Sequence, residues 1–257
     1  MHPQPPRLRI TEALTDADRA ACLALRCAAF RGGRGSDADR HDDAARHLMV
    51  WDGAGLAATL RHRRLTARQA ARDSYGAGFY DLDRLAAYPR PLIEIGRLCL
   101  RPGSAEAAVL RVIWGALAAE VDATGAGMLF GCTSLPAEPV PHAGLAWLAA
   151  HARPPADWAP GRRAPETLPL RPARVDPRAA LAQIPPLLRS YVGLGGWVSD
   201  HAVIDRDLGT LHVFTAVEVA AIPPARARAL RALASGPVRD TDRGPSATHR
   251  PDVRQPS

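Results

Sequence analysis

Glu94 and Arg97 interrupt an otherwise apolar run, Leu92–Leu100 (LIEIGRLCL), and two charges in such a run need a reason. Burying a carboxylate and a guanidinium is costly unless they pair or work. One reading is a salt bridge on a half-exposed edge strand, where charges are common. The other is a reactive site. A three-residue offset puts the two side chains on opposite faces of a regular strand. A bulge would bring both to one cleft, and Gly96 is its natural place. A carboxylate in a dry cleft has a raised pKa and can accept a proton directly or through water. An arginine beside it can orient it or stabilise negative charge that develops on an oxygen.

Other chemistries find little support. All 33 basic residues are arginine, which excludes a lysine Schiff base and the lysine of a phosphate-binding P-loop. The four cysteines are scattered in apolar segments without a C-x-x-C pair, as expected of small hydrophobes, so neither metal site nor disulfide is expected. No G-x-G-x-x-G, G-x-S-x-G or H-E-x-x-H stands in the chain. His47 and Asp52 have an H-x-x-x-x-D spacing, but a strand and its turn would hold them apart. His201 and Asp205 have an H-x-x-x-D spacing without a second histidine before them. The formal charge of +7 suits an anionic partner. Sparse aromatic residues and the absence of a recognition motif argue against nucleic acid.

The elements around the charged pair follow from periodicity. Residues 7–11 alternate as a short strand. Thr15 with Asp18 forms a capping box for a helix over about 16–30. The stretch 31–45 has almost no large apolar residue and is expected to be a mobile loop. His47–Trp51 and Leu56–Leu65 flank the turn Asp52-Gly53-Ala54-Gly55 as a hairpin. Leu92–Leu100, a helix over Ala105–Ala123 and a buried strand Met128–Thr133 come next. Residues 153–178 carry seven prolines and six arginines, an insert expected to lack regular structure. A helix over about 179–193, broken early at Pro185-Pro186, a strand Thr210–Val219 and a short helix after Pro224 complete the pattern. The order implies an α/β (α+β) fold, a mixed central β-sheet flanked by helices. It reads as one domain over 1–234, with a disordered tail over 235–257. No apolar window reaches the length of a membrane span and the N-terminus has no signal-like core, so a cytoplasmic location is expected.

Eight short motifs occur in order between about residues 8 and 222. They are Leu25-Arg26…Phe30, Asp39-x-x-Asp42 before His47-Leu48, Thr59-Leu60-Arg61, Gly78-Phe79-Tyr80 and Glu94-Ile95-Gly96-Arg97. Leu129–Ser134 (LFGCTS), Pro185–Tyr191 (PPLLRSY) and Ser199–Asp205 (SDHAVID) follow. Together they resemble the ornithine–acyl-carrier-protein N-acyltransferases that make lyso-ornithine lipid, relatives of the acyl-homoserine-lactone synthases in the GNAT acyltransferase superfamily. Ala58 stands where the family has glycine before Thr59, and Ala137-Glu138-Pro139 replaces its Gly-Thr-Asp-Pro. The resemblance implies transfer of a (3-hydroxy)fatty acyl group from acyl carrier protein to the α-amine of ornithine, with no cofactor. It implies Glu94 as base and Arg97 as its partner. Asp39 and Asp42 would hold the cationic ends of ornithine, or else be solvated loop acids. Arg26 and Arg61 would bind a carboxylate or pair with those same aspartates. Asp205 is a further acceptor-site candidate, and Phe30 is read as packing the closing loop. The segment Arg101–Ala105 (RPGSA) does not fit the pyrophosphate cradle of acetyl-CoA-dependent relatives, which favours an acidic carrier protein as donor. Peripheral contact with an anionic membrane is compatible with the charge. Acylation of another amine, or a domain that binds acyl carrier without turnover, remain the alternatives.

Overall fold

The structure, a computed structural model, describes residues 8–234; the tail expected from 235 onward lies outside the described residues. Its elements are β1 (Arg9–Glu12), α1 (Asp16–Arg31), β2 (Arg46–Asp52), β3 (Gly55–Leu65), α2 (Ala67–Asp73), β4 (Tyr80–Asp81), β5 (Leu92–Leu100), α3 (Glu106–Thr124) and β6 (Met128–Pro136). There follow α4 (His142–His151), β7 (Gly161–Arg162), β8 (Thr167–Pro169), α5 (Pro177–Gln183), α6 (Pro186–Gly193), β9 (Trp197–Asp205), β10 (Thr210–Glu218) and α7 (Pro224–Ala234). Eight strands form one mixed sheet in the order β1-β2-β3-β5-β6-β10-β9-β8. Within it β5 and β6 are parallel and every other pairing is antiparallel. The α/β architecture with a mixed central sheet is therefore as the sequence indicates.

Helices cover both faces. On one, Leu110, Ile113, Trp114 and Leu117 of α3 pack on Ile93, Ile95 and Leu129, while α4 and α5 pack over Leu135, Val198 and Leu211. On the other, α2 and the segment around Tyr80 pack on Leu92, Phe130 and Phe214. The capping box of α1 is present: the Thr15 hydroxyl accepts from the Asp18 N–H, and Asp18 accepts from the Thr15 N–H at 3.1 Å.

Three sequence expectations change. The Pro/Arg-rich insert holds two short strands, and β8 forms the outer edge of the large sheet by pairing with β9. An edge suits a proline-bearing strand, because proline has no N–H to donate. The helix expected over 179–193 is two helices, α5 and α6, with Pro186 in the first turn of α6. The sequence reading named neither α4 nor β9. The segment HAGLAWLAAH is apolar all round and lacks the polar stripe that marks a surface helix. Among the described residues no helix is long and apolar enough to cross a membrane.

The centre of the sheet is split. Parallel pairing of β5 with β6 covers only Leu92–Ile95 against Met128–Gly131. Beyond that point β5 continues along β3 as far as Leu100, and β6 continues along β10 as far as Pro136. The gap between them opens through the sheet. Gly131 stands at the fork, where an added Cβ would lie 2.1 Å from the Ile95 carbonyl oxygen. No side chain fits there.

Candidate active site

A cavity of about 260 Å³ fills the fork. Its apolar side is formed by Leu98, Leu100, Leu110, Pro186, Leu187 and Tyr191, and its polar side by Arg61, Tyr75, Glu94, Arg97, Ser134 and His212. Residues directly opposite in paired strands project to the same face. Glu94 is opposite Phe130, and Phe130 opposite Ala216, so Glu94, Cys132, Ser134 and His212 share one face.

Glu94 is 6% exposed. One carboxylate oxygen accepts from the backbone N–H of Tyr75 at 2.7 Å and of Gly76 at 3.3 Å. Burial raises its pKa above the usual carboxylate value of 4.5, against the opposing pull of those N–H groups and of Arg61 and Arg63. Cys132 lies on the same face, but burial pushes its thiol pKa well above the usual range, so it is no nucleophile at neutral pH.

Arg97 also lines the cavity, and a bulge brings it there as expected, though not where expected. Thr59 is opposite Cys99 and Arg61 opposite Gly96, so Arg97 and Leu98 together face Leu60. The residue in left-handed conformation is Arg97, with φ 52°, not Gly96. A Cβ on Gly96 would find only ordinary contact, 3.5 Å from the Arg61 Nε. A non-glycine residue at positive φ is strained and persists only where its surroundings hold it. Here they do. Arg97 Nε lies 3.1 Å from Asp37 Oδ2, an ion pair without hydrogen-bond alignment, and Arg97 donates to Asp39 at 3.5 Å. Its guanidinium also stands 5.2 Å from the ring centre of Tyr75 and 5.7 Å from that of Phe30. Phe30 thus lines the cavity and packs the arginine.

The loop 31–45 is tied down by charge rather than by apolar anchors. Arg26 is fully buried and donates to Asp37 at 2.9 Å, to the Asp37 carbonyl at 2.6 Å and to both oxygens of Asp42 at 2.6 and 3.2 Å. Arg61 donates to Asp39 at 2.5 Å and to Asp42 at 2.8 Å. Burial alone would push Asp42 upward, but the hydrogen bonds from Arg26, the Asp39 N–H and Arg61 win and hold it far below the usual carboxylate range. Asp39 is lowered for the same reason, mainly through Arg61. Of the two alternatives for Arg26 and Arg61, the structure takes pairing with the aspartates. Asp42 is likewise enclosed.

Asp39 and Asp205 stand elsewhere, on a second cavity of about 550 Å³ that shares Tyr75 and Arg97 with the first. Asp205 is buried and accepts from the Leu208 N–H at 3.0 Å. His47 and Asp52 do not meet: Asp52 pairs with Arg101 at 2.7 Å, and His47 lies 3.8 Å from Asp42. His201 bonds its neighbour Asp200, not Asp205. The sequence reading missed Asp37, Tyr75 and His212 altogether. Asp37 left no signal beyond an acid in a polar loop; Tyr75 and His212 are single residues whose partners are distant in sequence.

The sequence is similar to those of known proteins. The acetyltransferase (GNAT) domain model matches residues 26–115, which include Arg26, the loop aspartates, Glu94 and Arg97. The L-ornithine N(alpha)-acyltransferase of Brucella abortus is 33% identical over 195 residues, covering 69% of this chain and 68% of that protein. The L-ornithine N(alpha)-acyltransferase of Rhodobacter capsulatus is 32% identical over 196 residues, covering 72% and 76%. That of Rhizobium meliloti is 30% identical over 206 residues, covering 74% and 69%. At these identities and coverages, the chain belongs to the L-ornithine Nα-acyltransferase family.

Proposed function

We propose that this chain transfers a fatty acyl group from an acyl carrier protein to the α-amine of ornithine, giving lyso-ornithine lipid. The observation that carries the reading is Glu94: a buried carboxylate of raised pKa, held by two N–H groups, at the fork of a split sheet. An α-ammonium must lose a proton before it attacks a thioester. Glu94 takes that proton, directly or through water. The nitrogen adds to the carbonyl carbon and the carbon–sulfur bond breaks; of the two protons the ammonium loses in becoming an amide, one passes from Glu94 to the departing thiolate and the other to water. Arg97, and the β5 backbone groups that no longer meet β6, stabilise the tetrahedral oxygen. No cofactor enters the reaction.

Ornithine carries a second ammonium, and the second cavity supplies carboxylates for it. Asp205 and Asp39 stand there, with Arg97 within reach of the amino-acid carboxylate. The donor end is read from charge. Arg101, where acetyl-CoA-dependent relatives would begin a pyrophosphate cradle, is tied to Asp52 and the Leu56 carbonyl. A groove of about 610 Å³ shares Glu106, Leu110 and Pro186 with the reacting cavity and is lined by Arg111, Arg189 and Arg226. Such a groove suits an acidic carrier, whose approach it would speed more than tighten.

The test is a purified reaction of the chain with acyl-carrier protein and ornithine, followed by mass spectrometry of the product. N-acylornithine that forms with the native chain and not with Glu94→Gln supports the reading. Release of carrier thiol with another amino acid but not ornithine would move the acceptor. No product from any loaded carrier would overturn it.

A further inference from the structure

Arg31 lines the second cavity, and the proposed chemistry gives it no task. It stands in the last turn of α1 and faces Asp207, in the turn between β9 and β10. Its Nη1 and Nη2 donate to the two carboxylate oxygens of Asp207, at 3.3 and 2.8 Å. On the other side, Nε lies 3.3 Å from Oδ1 of Asp37, a fully buried carboxylate. A planar guanidinium held from its Nε side presents its two terminal nitrogens as a fork for one carboxylate.

Asp207 is a weak occupant of that fork. Its side chain is 70% exposed, and an exposed ion pair contributes little because water competes for both charges. Another carboxylate can therefore take its place. The amino acid assigned to this cavity brings one, on the carbon that bears the reacting amine, so its receptor belongs beside the wall that the two cavities share. Asp37 puts Arg31 there. Its Oδ2 lies 3.1 Å from Arg97 Nε while its Oδ1 faces Arg31, so the two guanidiniums are neighbours across one carboxylate, and Arg97 lines both cavities. The other arginines of the cavity are engaged or open to water. Arg97 is shared by Asp37 and Asp39 and is needed at the tetrahedral oxygen. Arg206 donates to Glu166 at 2.8 Å, and Arg40 is exposed.

We infer that the Arg31 guanidinium is the receptor for the α-carboxylate of the acceptor, and that Asp207 is a stand-in which the acceptor displaces. The acceptor class that follows is a free α-amino acid. A diamine or the N-terminus of a peptide carries no carboxylate beside its reacting amine. The inference rests on the reading of the second cavity as the amino-acid site.

The experiment compares ornithine with ornithinamide, which keeps both amines and loses the carboxylate charge. Calorimetry on the full chain gives their affinities, and kcat/KM is read for the same pair with loaded carrier protein. The native chain is expected to bind ornithine ~10-fold or more tightly than the amide. In Arg31→Gln that ratio falls to about 1, and Arg31→Lys, a charge without the fork, keeps part of it. Asp207→Asn separates a receptor from a structural clasp. Loss of the stand-in should tighten ornithine binding ~2–5-fold, whereas loss of a clasp would loosen it. Looser ornithine binding in Asp207→Asn therefore overturns the proposal, as does a preference that survives in folded Arg31→Gln. Equal affinity of the native chain for the two ligands overturns it even where ornithine is acylated. A preference for ornithine in binding without its acylation supports the receptor and sinks only the proposed reaction. Binding of neither ligand sinks the receptor and the acceptor reading together.

Discussion

Glu94 and Asp42 are buried carboxylates of one site, and they are held in opposite ways. Asp42 accepts from two guanidinium groups and a backbone N–H, and its pKa falls far below the usual range. Glu94 accepts from two backbone N–H groups and from no side chain, and its pKa rises. Burial penalises both charges; the guanidiniums decide the sign. A carboxylate locked between arginines is a poor base because its proton affinity has been spent on them. One left with N–H groups alone keeps it. The same contrast assigns labour: Asp37 and Asp42 hold a loop, and Glu94 is left free to exchange a proton.

The largest effect expected is on Glu94 itself. Glu94→Gln keeps an acceptor oxygen for Tyr75 and Gly76 while removing the base, so kcat should fall by ~10²–10⁴-fold with the melting temperature nearly unchanged. If turnover survives, the contrast with the aspartates carries no catalytic meaning. Asp37→Ala tests the other side. That carboxylate is fully buried against Arg26 at 2.9 Å, Arg97 at 3.1 Å and Arg31 at 3.3 Å. Removing it strands buried guanidinium charge, and urea denaturation should show a loss of ~3–5 kcal/mol. A loss under ~1 kcal/mol would mean that the loop is held by something other than its charges.

Acid separates the two sets more gently. Glu94 has a raised pKa, so activity that needs it ionised should fade as pH drops through a value above 4.5. Asp39 and Asp42 have lowered values, so the stability they contribute is complete above 3.8 and goes only as pH falls through their folded values. His212 adds a slope between. Its folded pKa of about 4 lies below its ordinary 6.5, so the unfolded chain binds more protons over that window and stability declines as pH falls through it. Rate and melting temperature measured together from pH 8 to 4 should show activity lost while the fold persists. Coincident loss would contradict the opposed pKa directions.

Much of this was legible in the sequence because β5, α3 and β6 are local patterns, and two charges in an apolar strand stand out. The hairpin and the capping box are local in the same way. Of the charge network, only the pairing of Arg26 and Arg61 with Asp39 and Asp42 was foreseen, and that as one of two alternatives. Asp37 lies in a loop without apolar anchors, and its partners come from α1 and β5, so polar composition looked like mobility. His212 is a single histidine in an apolar strand, and the side chain its ring meets is Tyr80, 132 positions away. Helix α4 escaped because a helix that is apolar on all sides shows no period.

Gly96 is where local reasoning gave the right device at the wrong residue, and it carries the smallest prediction. Glycine in a bulged strand suggests a backbone that only glycine adopts, yet the left-handed residue is Arg97. A methyl on Gly96 would lie 3.5 and 3.8 Å from Arg61 Nε and Cγ, in ordinary contact. Gly96→Ala should therefore change stability by less than ~1 kcal/mol, since it restricts the unfolded chain without forcing the folded one. Its effect on kcat should stay well below that of Glu94→Gln, because the added group points toward Arg61 and leaves Glu94 and its two N–H donors in place. If Gly96→Ala instead cost several kcal/mol, the bulge would depend on glycine after all. The strain at Arg97 would then follow from its neighbour, and the aspartates would no longer be what holds that arginine at the cavity.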